Sequence, residues 1–243
     1  MSVIHNNTTL TPTKLELLTG WLPAQPWYVG TGHGPELTKV GGFRLDDPEG
    51  EVGIEFMAVT DGSGEESVTY QVPLTYRGAP CDSAAEGLIG TAEHGVLGRR
   101  WVYDGVHDQV LVAQLVALIQ GGAEPQAQSK SDTPDPSVVS HPLAGALARA
   151  AAGAGAGVPV TGHTIVADGP GGTDLRVDTA GEDGTPVRGT VRVHRILRPE
   201  EPAGTPGATA GAGVTATWQS ADGARVRGVF ATAQHAGSDP ARL

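Results

Sequence analysis

The residues whose types could support chemistry are thinly spread. Eight histidines (His5, His33, His94, His107, His141, His163, His194 and His235) make no His-x-His or His-x-x-x-His pair, and Cys81 is the single cysteine. Without ligands at recognised spacing, no metal site is legible. His107-Asp108 has the order of an acid–base pair, but an aspartate directly before an apolar helical run is explained by helix capping. Gly30-Thr31-Gly32-His33-Gly34 offers backbone amides that could cradle a phosphate. It neither follows a strand nor opens a helix, which excludes the dinucleotide-binding arrangement. Asp46-Asp47, Glu65-Glu66 and Glu200-Glu201 fall at turns or loops. Neighbouring strand residues point to opposite faces, so these pairs read as solvated charge rather than as the acid and base of a glycosidase. There is no Gly-x-Ser-x-Gly elbow and no Gly-x-x-x-x-Gly-Lys-Ser/Thr loop. No catalytic, cofactor-binding or metal-binding residue is assigned.

Aromatic residues are the other candidates. Trp21, Trp27, Tyr28, Trp101 and Tyr103 could stack on a sugar or a nucleotide base, although a small domain with few aromatics usually spends them on its core. Trp27 and Tyr28, with Arg99, Arg100 and Trp101, are the candidate contacts for a partner or ligand.

Charge narrows the choice of partner. The 243 residues carry a net charge of −11, from 16 basic and 27 acidic side chains. Lys14, Lys39 and Lys130 are the only lysines. Arg99-Arg100 and the spaced Arg188, Arg192, Arg195 and Arg198 are the only basic clusters, too few to displace counterions along a phosphate backbone, so nucleic acid is not an expected partner. The longest apolar run, Val110 to Ile119, is too short to cross a bilayer. A single cysteine and a polar start from Met1 to Thr11 fit a cytoplasmic protein without a secretory signal.

The elements that must position these residues follow from periodicity and turn chemistry. A first helix is expected from about Thr11, with Pro12 at its first position, and Thr13 and Glu16 at capping-box spacing; Gly20 is a plausible stop. Three strands follow in a meander, over 37–45, 51–60 and 67–77, with Asp61-Gly62 turning between the last two. In the third, Val68, Tyr70, Val72, Leu74 and Tyr76 alternate with Thr69, Gln71, Pro73, Thr75 and Arg77, which predicts one buried and one wet face. Pro73 cannot donate to a ladder, so this strand is expected at an edge or with a bulge. A strand over 96–103 and a helix over 109–120, capped by Asp108, complete the first half. Gly 36 and Pro 18 together exceed a fifth of the chain, and they concentrate in a Pro/Ala/Gly-rich linker expected over 123–158. Strands are then expected over 160–167, 174–178, 187–197, 214–219 and 225–232, followed by a disordered tail over 235–243.

Two segments carry a family resemblance. Trp21-Leu22-Pro23-Ala24-Gln25-Pro26-Trp27-Tyr28, followed by the glycine-rich bend at 30–34, and Tyr70-Gln71-Val72-Pro73-Leu74 resemble the N-terminal cap domain of actinobacterial maltokinases, as does Trp101-Val102-Tyr103-Asp104-Gly105 with His107-Asp108. The resemblance covers residues 12 to about 120. It implies a helix-backed antiparallel sheet and a place in maltose, trehalose or α-glucan (glycogen) metabolism. A fainter likeness links Thr190 to Pro199 with the kinase strand that carries a phosphate-binding lysine. Arg192 would stand at that position, and a guanidinium does not replace the amine. Kinase-type transfer also needs an asparagine at the end of its catalytic loop, and Asn6 and Asn7 are the only asparagines.

The expected architecture is therefore α+β: a curved antiparallel sheet with one or two packed helices over 1–122, the linker, and a small mainly-β module over 159–234. That module could extend the first sheet or stand apart. The expected role is that of a stand-alone, cap-like accessory or regulatory partner of a sugar-metabolic enzyme, without the kinase C-lobe and without cofactors. The alternative is a module that binds a sugar or sugar phosphate, and a stand-alone enzyme is a third, weaker reading.

Overall fold

The computed structural model describes residues 10–30, 32, 34–62, 66–128, 132–142, 159–180, 186–200 and 212–235. The sheet contains thirteen strands. They are β1 (Leu10–Thr11), β2 (Leu37–Leu45), β3 (Gly53–Asp61), β4 (Val68–Arg77), β5 (Leu88–His94), β6 (Gly98–Asp104), β7 (Gln126–Ala127), β8 (Val139–His141), β9 (Val160–Gly169), β10 (Gly172–Ala180), β11 (Pro186–Val193), β12 (Ala212–Gln219) and β13 (Arg225–His235). Among the described residues two α-helices accompany them, α1 (Lys14–Trp21) and α2 (Gln109–Ile119). The main strand order is β1-β5-β6-β4-β3-β2-β12-β13-β11-β10-β9, with β7 on β2 and β8 on β12, and every named pairing is antiparallel.

Helix α1 begins at Lys14, later than the expected start near Thr11. Thr13 is the cap: its hydroxyl accepts from the Glu16 amide at 3.2 Å, and the Glu16 carboxylate accepts from the Thr13 amide at 2.7 Å. The reciprocal box satisfies two amide donors that would otherwise be orphaned, and this places the boundary. The helix continues through Gly20 to Trp21. At α2 the Asp108 carboxylate accepts from the Val110 amide at 3.0 Å, as an aspartate N-cap should.

The sheet separates two cores. Beneath α1, Leu18, Leu22, Trp27, Met57, Val59, Tyr70, Val72, Leu74 and Val102 are buried together. On the other face α2 buries Leu111, Leu115, Leu118 and Ile119 against Phe43, Ile54, Phe56, Leu175, Val193, Val214 and Phe230. Residues before and after the expected linker thus share one core and one sheet, and the C-terminal strands extend the first sheet through Trp218 opposite Gly41. The linker region is partly strand, because Gln126–Ala127 pairs with β2 and Val139–His141 with β12. Residues 143–158 and the tail from 236 lie outside the described residues.

Two expectations about β4 are corrected. It is an interior strand, flanked by β3 from Val68 to Tyr76 and by β6 at Leu74 to Arg77. On the β6 side its first half pairs instead with the segment following β11. Gln71 donates its amide to the Arg195 carbonyl, and Leu197 donates to the Thr69 carbonyl, both at 2.8 Å. The backbone of residue 73 faces the same side as that of 69 and 71. The missing Pro73 N–H therefore points into the break between two short partners, which is how an interior strand tolerates it. Nor is one face wet. Gln71, Pro73 and Thr75 stand opposite Ala58, Phe56 and Ile54, so they face the α2 core and are buried. The structure also adds β5, which the sequence reading left out. Among the described residues, no helix is long and apolar enough to cross a membrane.

Candidate functional site

The Trp-Leu-Pro segment leaves α1 through a single 3-10 turn, Leu22–Ala24. That turn drives Trp27 into the core, where it is 1% exposed. Trp21 meets it edge-on at 5.7 Å between ring centroids, and Tyr70 lies at 5.9 Å. The Arg195 guanidinium carbon sits 4.7 Å from the Trp27 ring centroid, so the faces of this ring are covered by the protein's own groups. Tyr28 lies 5.6 Å from Tyr70 and donates its hydroxyl to Asp61 at 2.8 Å. Burial, reinforced by the Asp61 carboxylate, pushes the Tyr28 phenol up to about 12. The Tyr70 hydroxyl donates to the Val29 carbonyl at 2.9 Å and accepts from the Val29 amide at 3.0 Å. These bonds fasten the chain after Trp27 to β3 and β4.

The Trp101 to Asp108 motif is also engaged internally. Asp104 receives two bonds from Arg195, whose Nε donates to the Thr173 hydroxyl at 2.8 Å. Asp108 receives the Arg77 fork through two bonds of 2.7 Å. Burial raises the Asp108 carboxyl, but the Arg77 fork and the Val110 amide outweigh it and hold the group below its ordinary value. His107 packs its ring against Gly87, where a Cβ would come within 2.7 Å. Asp108 is thus an ion-paired helix cap, and the His107-Asp108 order has no catalytic geometry. The Tyr103 hydroxyl accepts from the Cys81 amide at 2.8 Å.

Arg99, Arg100 and Trp101 fall together on the β5–β6 hairpin. Arg99 is exposed and pairs with Glu93 at 2.9 Å, and Arg100 donates to the Leu97 carbonyl at 2.6 Å. The connecting turn exposes two apolar side chains, Val96 at 63% and Leu97 at 46%. Trp27 and Tyr28 do not join this group. Val102 shares the core of Trp27, and strand alternation turns Trp101 to the opposite face.

Residues 21–108 match the family model of the maltokinase N-terminal cap domain. This cap-like segment begins at Trp21, the ring that meets Trp27, and ends at Asp108, the cap of α2. None of the curated proteins is similar enough to this chain to match it. Beyond the matched segment, β9 to β13 continue its sheet, and Arg195 reaches back to its Asp104.

Arg192, at the position likened to a phosphate-binding lysine, forks onto Asp174 at 2.6 and 2.8 Å. Among the described residues, no group of three or more His, Cys, Asp or Glu is placed to hold a metal ion. Two arrangements escaped the sequence reading. One is the burial of Arg195, which had a signal: Val191, Val193, Arg195 and Leu197 share one phase of a period of two. The other is the convergence of Lys14 and Lys39 on Glu55, described below, which joins three distant elements and leaves no local pattern.

Proposed function

We propose that this chain is a non-catalytic, cap-like module of maltose, trehalose or α-glucan metabolism, which acts by docking on a partner enzyme. The observation that carries this reading is the fate of the motif carboxylates within the matched segment. Asp104 is bonded to Arg195 and Asp108 to Arg77, so the motif builds a scaffold rather than a reaction centre. The docking surface is the tip of the β5–β6 hairpin, where Arg99, Val96 and Leu97 are exposed and the half-buried Arg100 and Trp101 present opposite faces of β6. Arginine and aromatic residues dominate interface hot spots, and two arginines on a chain of net charge −11 suit an acidic patch on the partner.

The test is affinity capture from a cell extract with the wild-type chain and with Arg100→Glu and Trp101→Ala. The reading expects recovery of an enzyme acting on maltose, trehalose or an α-glucan, and its loss with both variants. Recovery of no such enzyme, or equal recovery by all three proteins, defeats it. A sugar-binding module predicts instead that maltose or trehalose raises the melting temperature without any partner.

A further inference from the structure

Glu55 gathers an unusual set of donors. Its carboxylate is buried, and one oxygen accepts from Lys14 at 2.5 Å and from the Tyr76 hydroxyl at 2.7 Å. The other accepts from Lys39 at 3.3 Å and from the Gln128 amide at 3.0 Å. The donors come from α1, β2, β4 and the residue after β7. Two of the chain's three lysines, 25 positions apart, thus meet on one carboxylate in a protein of net charge −11. Lys39 precedes a β-bulge, for the register of β2 on β3 slips between Lys39 and Gly41, and bulges re-aim neighbouring side chains. Arg44 stands directly opposite Glu55 in the same ladder and therefore shares its face.

The charges in this cluster do not balance. Burial raises the Glu55 carboxyl, but the two lysines more than compensate and bring it down to about 2. Glu55 contributes one negative charge at neutral pH, against two ammonium groups. Each ammonium has three donors and gives one bond to Glu55. The lysine side chains remain 36% and 38% exposed. Holding two lysines beside each other on a buried anchor removes their rotamer freedom before any ligand arrives, and such preorganisation is what an anion site needs.

We propose that Lys14 and Lys39 form an anion site on the solvent side of Glu55, which takes a phosphate dianion, free or as a phosphate monoester. Glu55 is a positioning residue: it holds the two cations on the two oxygens of one carboxylate. The site stands independently of the docking role above.

Inorganic phosphate and phenyl phosphate are the probes, titrated at constant ionic strength against sodium chloride and followed by thermal shift and by calorimetry. The proposal expects both phosphates to raise the melting temperature where chloride does not. Lys39→Gln should weaken the apparent Kd at least tenfold, whereas Lys39→Arg keeps the charge and should retain binding. Lys39 lies on β2, and its loss leaves Lys14 on Glu55, so the variant should keep its circular dichroism spectrum. Tighter binding of phenyl phosphate assigns the site to monoesters, and equal binding assigns it to the phosphate group itself. A phosphate response no larger than that of chloride overturns the proposal, as does a response that Lys39→Gln leaves intact.

Discussion

Arg195 and Asp104 stand 91 positions apart and meet through two bonds, Nη1 to Oδ1 at 3.1 Å and Nη2 to Oδ2 at 2.5 Å. Their side chains are 0% and 4% exposed. Asp104 ends β6 in the cap-like segment, and Arg195 follows β11, so the pair ties the two halves of the chain together. A buried pair gains little over a well-packed apolar one, but removing one partner strands a charge at a cost of about 3–5 kcal/mol. Asp104→Ala should therefore destabilise the fold by that order. Asp104→Asn combined with Arg195→Met should cost clearly less than the sum of the two single changes. Urea unfolding of all four members of the cycle measures the coupling, and additive losses would contradict a linked pair.

Glu55 predicts an acid limb to stability. Its folded carboxyl is brought down to about 2 from the ordinary glutamate value of 4.5. A depressed carboxyl contributes stability above its unfolded value, and this contribution is lost as pH falls toward the folded one. The shift corresponds to an order of 3 kcal/mol, present at neutral pH and lost between about pH 4.5 and 2. Glu55→Gln should be less stable than wild type at pH 7, and the gap should close across that window. Unfolding free energies measured at several pH values for both proteins will show whether it does.

Much of this was legible in the sequence because its cause is local. The alternation of Val68 to Tyr76, the Asp61-Gly62 turn and the Asp108 cap are encoded within a few residues, and β2, β4 and α2 stand within a residue of their expected bounds. Gly62 takes a φ of 76°, as that turn requires. The failures are non-local. Pro73 reads as an edge residue until two separate partners are seen to share one side of β4. The buried polar face of β4 reads as wet because nothing nearby announces that α2 will cover it. In the aromatic segments the sequence favoured the core role over a stacking platform, and burial of Trp27 under Arg195 has the same sense. The meeting of Lys14, Lys39 and Glu55 depends on helix, bulge and strand together.

His163 and His194 add a second pH-dependent contribution near neutrality. Burial lowers both imidazoles below 6.5; the Val106 carbonyl opposes this at His163, while Arg192 reinforces it at His194. In each case the unfolded chain binds a proton more readily than the folded one. Stability is therefore present above about 6.5 and falls as pH drops below it. The whole-chain charge also changes over this range, so the informative quantity is a difference. His194→Gln should lose less stability than wild type between pH 7.5 and 5.5, and NMR titration of the wild-type imidazole should give a midpoint below 6.5. An unshifted midpoint would remove the effect.

Two glycines of the first half should respond in opposite directions to the same substitution. Gly42 in β2 has a φ of 122°, and a Cβ there would lie 2.0 Å from the Phe56 carbonyl oxygen and 3.1 Å from Met57 Cα. These two are backbone of the adjacent strand and cannot move without breaking the ladder, whereas the third obstacle, the Gln128 side-chain nitrogen at 2.6 Å, can turn aside. Gly42→Ala should lose upwards of about 2 kcal/mol, combining left-handed strain with the clash. Gly20 lies within α1, and a Cβ there meets nothing within 4 Å. Gly20→Ala should stabilise the protein by about 0.5–1 kcal/mol, since alanine loses less backbone entropy in a helix. Thermal unfolding of the two variants beside wild type gives the signs directly. A neutral Gly42→Ala would mean that β2 and β3 are not held in the register that brings Lys39 to Glu55 and sets Arg44 opposite it.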